Sequence, residues 1–301
     1  MHKSAGTSLS LSLSRFKKRL TLTLALPAAN PFKKTRRFAD FYAEWFDALE
    51  RTLLPLLRDS LSSSSSTSST SVQLSAAVHA LHCHLQSYYS ALNLAASSSS
   101  ADQLPRLLCP PWRNSLERPF LFLGDLHPYV FTTLLRSLLE NDGDDSDDEG
   151  ARVFLEDDCN QLSGRPWQVL TAWKNPSKHT ISRMEQIECG VRLMVPALWD
   201  RAKAEQAHFA DRVADQWTRA SGKKKKETTA TVGKAAAAAA QGLAGVFLDA
   251  NRLRKSVLAD IMSATNLYQA GLFLEALAQF LVGLRDPELL EKFQHCPVKM
   301  R

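Results

Sequence analysis

Residues 110–131 read PPWRNSLERPFLFLGDLHPYVF, and no continuous helix accommodates them. Pro110 and Pro111 fix φ and donate no N–H, and Pro119 and Pro128 repeat the interruption. Gly124-Asp125 is a turn signal between an apolar run at 119–124 and a second apolar stretch. The segment is an elbow: a rigid entry, a buried run, a tight turn, then a new helix. That helix is predicted over 127–140, with Asp125 as N-cap and Pro128 in its first turn. Trp112 and Phe120 to Leu123 are the expected buried anchors, and Leu121, Gly124 and Pro128 the expected hinge residues.

Around the elbow the apolar spacing is helical. Phe38, Phe41, Tyr42, Trp45, Phe46, Leu49, Leu53, Leu56 and Leu57 recur at three- and four-residue steps and form one stripe. Pro55 should kink this helix or mark its last turn. Val72, Ala76, His79, Leu81, Leu85, Tyr88, Tyr89 and Leu92 mark a second helix over 72–96. A long pattern over 178–218 is bent or divided by Pro196, and two further helices occupy 243–265 and 267–285. Trp45 and Tyr88 are the expected core aromatics of this set. The LSLSLS run at 9–14 is the lone alternating stretch, and a single edge strand there has nothing to pair with. The predicted class is all-α, a single bundle of about six or seven helices.

Low-complexity segments set the predicted boundaries. Residues 1–36 are a basic, Ser-rich tail expected to be disordered, 37–286 the helical domain, and 287–301 a C-terminal tail. Within the domain, 61–71, 141–150 and 221–234 hold too little apolar surface to offset backbone ordering and read as loops. The alanine run that follows has high helix propensity and is expected to extend the next helix.

The net charge of +6 matters less than its segregation. Nine cations and no anion precede Asp40, while acid collects at 140–158 against a lone Arg152. The five cysteines are odd in number, scattered and without a CxxC pair, which indicates reduced thiols rather than a zinc site or a disulfide framework. No apolar run approaches the ~20 residues that span a bilayer. No compact apolar segment suggests a secretory signal, although residues 1–37 share the composition of an organellar transit peptide.

The catalytic and metal motifs fail on inspection. His79 and His82 share roughly one helix face and are weak metal or haem candidates, with His84 pointing away and no carboxylate at ligand spacing. The run DGDDSDDEG places Asp147 and Val153 where a calcium loop needs Gly and Glu. Gly233-Lys234 is followed by Ala235, so it is no phosphate loop. No nucleophile elbow, HExxH or paired-carboxylate motif is present, and no enzyme activity or cofactor is expected. The cationic clusters Arg15, Lys17, Lys18, Arg19 and Lys33, Lys34, Arg36, Arg37 are candidates for membrane binding or targeting. An anionic leaflet attracts such residues by about 1 kcal/mol each, while nuclear localisation and nucleic acid are competing readings. No zipper, zinc finger or helix-turn-helix supports sequence-specific DNA binding.

Four ordered blocks resemble the plant Delay-of-Germination domain: FADFYAEWFDALERTLLPLL (38–57), HCHLQSYYSAL (82–92), LLCPPWRNSLERPFLFLGDLHPYVFTTLL (107–135) and DANRLRKSVLADIMSATNLYQAGLFLEAL (249–277). The elbow departs from the family pattern, because Gly124-Asp125-Leu126-His127-Pro128-Tyr129 lacks its second Gly, its aromatic and its Arg. No bZIP segment accompanies the domain. The chain is most similar to the inaperturate-pollen branch.

That resemblance implies a non-enzymatic scaffold in pollen aperture formation, marking plasma-membrane domains where the exine leaves gaps. It implies protein partners for the helical domain and a place in the cytoplasm and at the plasma-membrane periphery. The alternative is a nuclear transcription-regulatory cofactor related to the TGA-factor domain, of the seed-dormancy type. Haem binding, a trait of some dormancy members, does not carry over to a matched ligand pair here.

Overall fold

The computed structural model describes residues 38–63, 68–98, 104–140, 165–219 and 225–295. Its helices are α1 (Phe38–Ala48), α2 (Leu54–Ser62), α3 (Ser68–Ser98), α4 (Leu104–Leu108), α5 (Pro128–Glu140), α6 (Trp167–Leu170), α7 (Lys178–Arg219), α8 (Lys225–Ala264), α9 (Leu267–Gly283) and α10 (Pro287–Gln294). A π turn covers Leu49–Leu53, a 3-10 turn covers Arg118–Phe120, and two short strands, β1 (Leu121–Phe122) and β2 (Asp125–Leu126), complete the described elements. The class is all-α, as the apolar spacing predicts. The helices are shared between two compact units: Met1–Tyr88, Thr133–Arg183 and Ile261–Arg301 in one, Tyr89–Thr132 and Met184–Asp260 in the other.

In the first unit, α1 and α2 continue one apolar stripe through the π turn. Pro55 has no N–H for the Arg51 carbonyl, and the chain widens just before it, with Leu54 N–H donating to Leu49 O. Pro55 thereby falls in the first turn of α2, where a missing donor costs little, instead of kinking the helix or ending it. The stripe buries Tyr42, Trp45, Phe46, Leu49, Leu53 and Leu57. Tyr88 of α3 packs on it, its ring 4.7 Å from that of Trp45 and 5.9 Å from that of Tyr42. Arg285 caps the cluster, its guanidinium 4.6 Å from the Phe46 ring centroid.

Helix α9 is fixed at its start by a capping box. Asn266 Oδ1 accepts from the N–H groups of Tyr268 and Gln269, and Gln269 Oε1 accepts from Asn266 N–H. Gln269 also donates to Ala172 O at 2.9 Å. At Gly271 the helix comes so close to α2 that a Cβ would lie 3.1 Å from Leu61. Buried Glu275 receives both terminal nitrogens of Arg165, at 2.7 and 2.8 Å, and Arg58 Nε at 3.3 Å. Beyond α9, Asp286 caps α10 by accepting from Leu289 N–H, so the segment expected as a tail from 287 begins as a helix.

Two expected loops are shorter than their composition suggests, and the third, 141–150, lies outside the described residues. Helix α3 already starts at Ser68, and α8 starts at Lys225 and takes in the alanine run. Pro196 does not divide α7, which is continuous across it. Its ring is on the exposed face, so the unbonded Arg192 carbonyl faces solvent rather than the core. Among the described residues no single helix is long and apolar enough to cross a membrane. Helices α9 and α10 pass that test only jointly, with a 49° bend between them, and α9 is core.

Candidate functional site

The elbow lies in the second unit and is built on a two-residue hairpin. Leu121 pairs with Leu126 and Phe122 with Asp125, too few residues for alternation to reveal a strand. Leu123 and Gly124 form the turn with φ of 46° and 86°, both left-handed, which matches the twist of paired strands. Leucine at the first position stores strain of about 1 kcal/mol. Glycine at the second is required twice, since a Cβ there would also lie 2.3 Å from Leu107 O and 2.9 Å from the Phe247 ring.

Four charged side chains hold this turn from beneath, and all are buried. Arg113 (4% exposed) donates to Glu117 Oε1 at 2.9 Å and to Asp125 Oδ1 at 2.6 Å. Glu117 Oε2 accepts from Asn114 N–H, and Asn114 Oδ1 accepts from Glu117 N–H in return. Arg254 of α8 (0% exposed) is the centrepiece. Its Nε donates to Leu126 O at 2.6 Å, its Nη1 to Asn251 Oδ1 at 2.7 Å, and its Nη2 to the carbonyls of Phe122 and Asp125. Asn251 in turn donates to Asn93 Oδ1. Two arginines and two carboxylates make the set electrically neutral, which offsets much of the desolvation that burial of each would cost alone.

Asp125 is therefore not the N-cap of α5. Its Oδ1 binds Arg113 and its own neighbour, Leu126 N–H. The cap is His127: its Nδ1 accepts from Tyr129 N–H and its carbonyl from Val130 N–H. That bond places the imidazole proton on Nε2. Burial, and then the positive charge of Arg254, lower the His127 pKa, so the ring is neutral at physiological pH.

His127 is also the middle of an aromatic strip. Its ring stacks on Tyr129 at 4.9 Å and meets Phe122 at 4.9 Å, and Phe122 meets Trp199 of α7 at 6.4 Å. Lys203 Nζ lies 5.7 Å over the Trp199 ring. Phe122 is the buried root of the strip, while Tyr129 (39%) and Trp199 (46%) reach solvent. Phe122 alone of the run Phe120 to Leu123 is buried; Leu121 and Trp112 are half-buried, and Gly124 and Pro128 are buried. Exposed Tyr and Trp on a rigid base are the side chains enriched at protein interfaces.

The histidines of α3 are placed differently from their expected order. His84, expected to point away, is the one packed inside. Its ring lies parallel to Trp45 at 4.9 Å, its Nε2–H donates to Trp45 O, and Trp45 Nε1–H donates to His84 O. Burial pushes its pKa down to about 4, against a smaller opposing effect of the bond to Trp45 O. His79 is exposed, and half-buried His82 accepts from the Gln86 amide. Among the described residues no group of three or more His, Cys, Asp or Glu side chains is arranged to hold a metal. The candidate membrane residues Arg15, Lys17, Lys18, Arg19, Lys33, Lys34, Arg36 and Arg37 lie outside the described residues.

Helix spacing holds a signal for the central arginine. Ala250, Arg254, Val257, Leu258 and Ile261 lie on one face of α8, so Arg254 occupies an apolar stripe. Arg113 and Glu117, in contrast, are masked by an irregular backbone.

Residues 53–137, which contain the whole elbow, match the DOG1 family model, described as seed dormancy control. The chain is similar to Protein INAPERTURATE POLLEN1 of Arabidopsis thaliana, 47% identical over 270 residues, which covers 87% of this chain and 94% of that protein. It is also similar to Protein INAPERTURATE POLLEN 1 homolog of Oryza sativa subsp. japonica, 34% identical over 265 residues, covering 87% and 90%. A match of this depth over nearly the full length of both relatives means that the chain belongs to the inaperturate-pollen family.

Proposed function

We propose that this chain is a non-enzymatic pollen-aperture factor that marks plasma-membrane domains. The observation that carries the reading is the 47% identity to Protein INAPERTURATE POLLEN1 across 94% of that protein. The helical domain acts as a scaffold and binds protein partners through the exposed strip of Tyr129, His127 and Trp199. The cations Arg15, Lys17, Lys18, Arg19, Lys33, Lys34, Arg36 and Arg37 hold it to an anionic leaflet, at about 1 kcal/mol each near the surface.

Imaging of a tagged chain in developing microspores tests this. Discrete patches at the cell periphery that coincide with future apertures are expected. A uniformly nuclear signal would overturn the proposal and favour the transcription-cofactor reading, which the seed-dormancy match over 53–137 supports. Liposome co-sedimentation tests the tail separately: binding to anionic vesicles should fall when Arg15, Lys17, Lys18 and Arg19 are neutralised. Unchanged binding would remove the tail from the mechanism.

A further inference from the structure

The exposed face of α3 carries a pair that the aperture reading does not use. His79 and Cys83 are four residues apart on one continuous helix. Cys83 Sγ lies 3.4 Å from His79 Nε2 and 3.9 Å from Nδ1. His79 is exposed, Cys83 is half-buried, and its thiol is free of any disulfide.

We infer that His79 and Cys83 form a two-point clip for a borderline-soft divalent metal ion of the Zn2+ type. In a tetrahedral zinc centre, bond lengths of about 2.3 Å to sulfur and about 2.0–2.1 Å to nitrogen put the two donors about 3.6 Å apart. The observed separation of 3.4 Å is of that size, but Sγ is also 3.9 Å from Nδ1 and so lies beside the ring rather than beyond Nε2; rotation of the exposed His79 side chain, with the helix unchanged, brings the Nε2 lone pair onto the bite. Imidazole and thiolate are also the donor types such ions prefer over the oxygen ligands of Mg2+ or Ca2+. Coordination through sulfur releases the thiol proton to solvent, so binding weakens as pH falls. His82 stays outside the clip, because its Nε2 is occupied by the Gln86 amide at 3.2 Å. Water or a donor from a bound partner fills the remaining positions.

Titration of the full chain with Co2+ under a thiol-free reductant tests the clip. Co2+ serves as a spectroscopic stand-in for Zn2+. A thiolate-to-cobalt charge-transfer band should appear and be bleached by Zn2+. Cys83→Ser should abolish the band, and His79→Ala should weaken the apparent affinity at least tenfold. Cys109→Ser and Cys189→Ser, at two other exposed thiols, should leave it unchanged. Circular dichroism confirms folding, and Cys83→Ala and His79→Gln replace any variant that fails it. As a second readout, excess Zn2+ should raise the melting temperature of the parent chain but not of the Cys83 variants. Absence of the band, its survival in Cys83→Ser, or unaltered affinity in His79→Ala would each overturn the inference.

Discussion

Replacing Arg254 with methionine tests whether the buried charge set holds the elbow. The substitution keeps an unbranched stem of similar reach and removes the guanidinium. Four hydrogen bonds vanish at once, to Leu126 O, Asn251 Oδ1, Phe122 O and Asp125 O. A buried acceptor left unpaired costs about 1–3 kcal/mol. The carbonyls do not act independently, because the two-residue hairpin can tilt some of them toward water. One cation is also lost from a neutral set, leaving Glu117 and Asp125 against Arg113 alone. Breaking such a buried set by removing one partner costs about 3–5 kcal/mol. We expect about 4 kcal/mol, a large fraction of the about 5–15 kcal/mol that keeps a domain folded. At about 2–4 °C per kcal/mol, the melting temperature drops by about 8–16 °C. Urea unfolding followed by circular dichroism measures the first quantity and a thermal scan the second. Arg254→Lys keeps the charge but not the fork, so it should lose about half as much. A methionine variant within about 1 kcal/mol of the parent would refute the reasoning, because it would show that the set contributes little despite its burial.

Gly124→Ala forces a Cβ to 2.3 Å from Leu107 O, so a loss of about 2–4 kcal/mol is expected in the same urea assay, well beyond the ordinary cost of left-handed alanine. Trp45→Ala should cost about 3–5 kcal/mol as a buried aromatic truncation, whereas half-buried Trp112→Ala should cost less than half of that. Equal losses at the two tryptophans would mean that burial does not set the difference. His84 has a folded pKa of about 4 against 6.5 when exposed, so its contribution is complete above about pH 6.5 and is lost as pH falls toward 4. That loss amounts to about 2–3 kcal/mol. His84→Phe should flatten this part of the stability profile, and a profile unchanged by the substitution would contradict the assignment.

Much of the helical scaffold was legible because it rests on a period. The stripe from Phe38 to Leu57, the aromatic face of α3 and the two closing helices all follow three- and four-residue spacing, and burial follows the stripe. The elbow was legible as an interruption but not as a shape. Two residues per strand cannot alternate, and Leu123-Gly124 does not advertise a hairpin as Asn-Gly does. Capping was misread for a related reason. Asp125 has the side chain of an N-cap, yet a buried arginine twelve residues upstream competes for it, and His127 caps instead. Burial of Arg113 and Glu117 leaves no periodic signature, because the backbone around them is irregular, and the apolar stripe of α8 marks Arg254 alone. His84 was lost as well: it faces Trp45 of another helix, and only tertiary packing reveals that partner.

The segment Gly124 to Tyr129 belongs to both layers of the elbow. Gly124, Asp125 and Leu126 supply the turn and the groups that the arginines bind. His127, Pro128 and Tyr129 start α5 and carry the outer half of the aromatic strip. A change in the inner half would therefore move the outer half, since His127 is the cap and Phe122 is the root against which its ring packs. This coupling bears on the proposed partner surface. Tyr129 and Trp199 are exposed, but the strip is anchored through Phe122 on backbone that Arg254 holds by three carbonyls. A surface fixed in this way loses less conformational entropy on binding than one on a free loop. Divergence here can thus alter partner choice without loosening the fold, provided that the inner residues still satisfy Arg113 and Arg254.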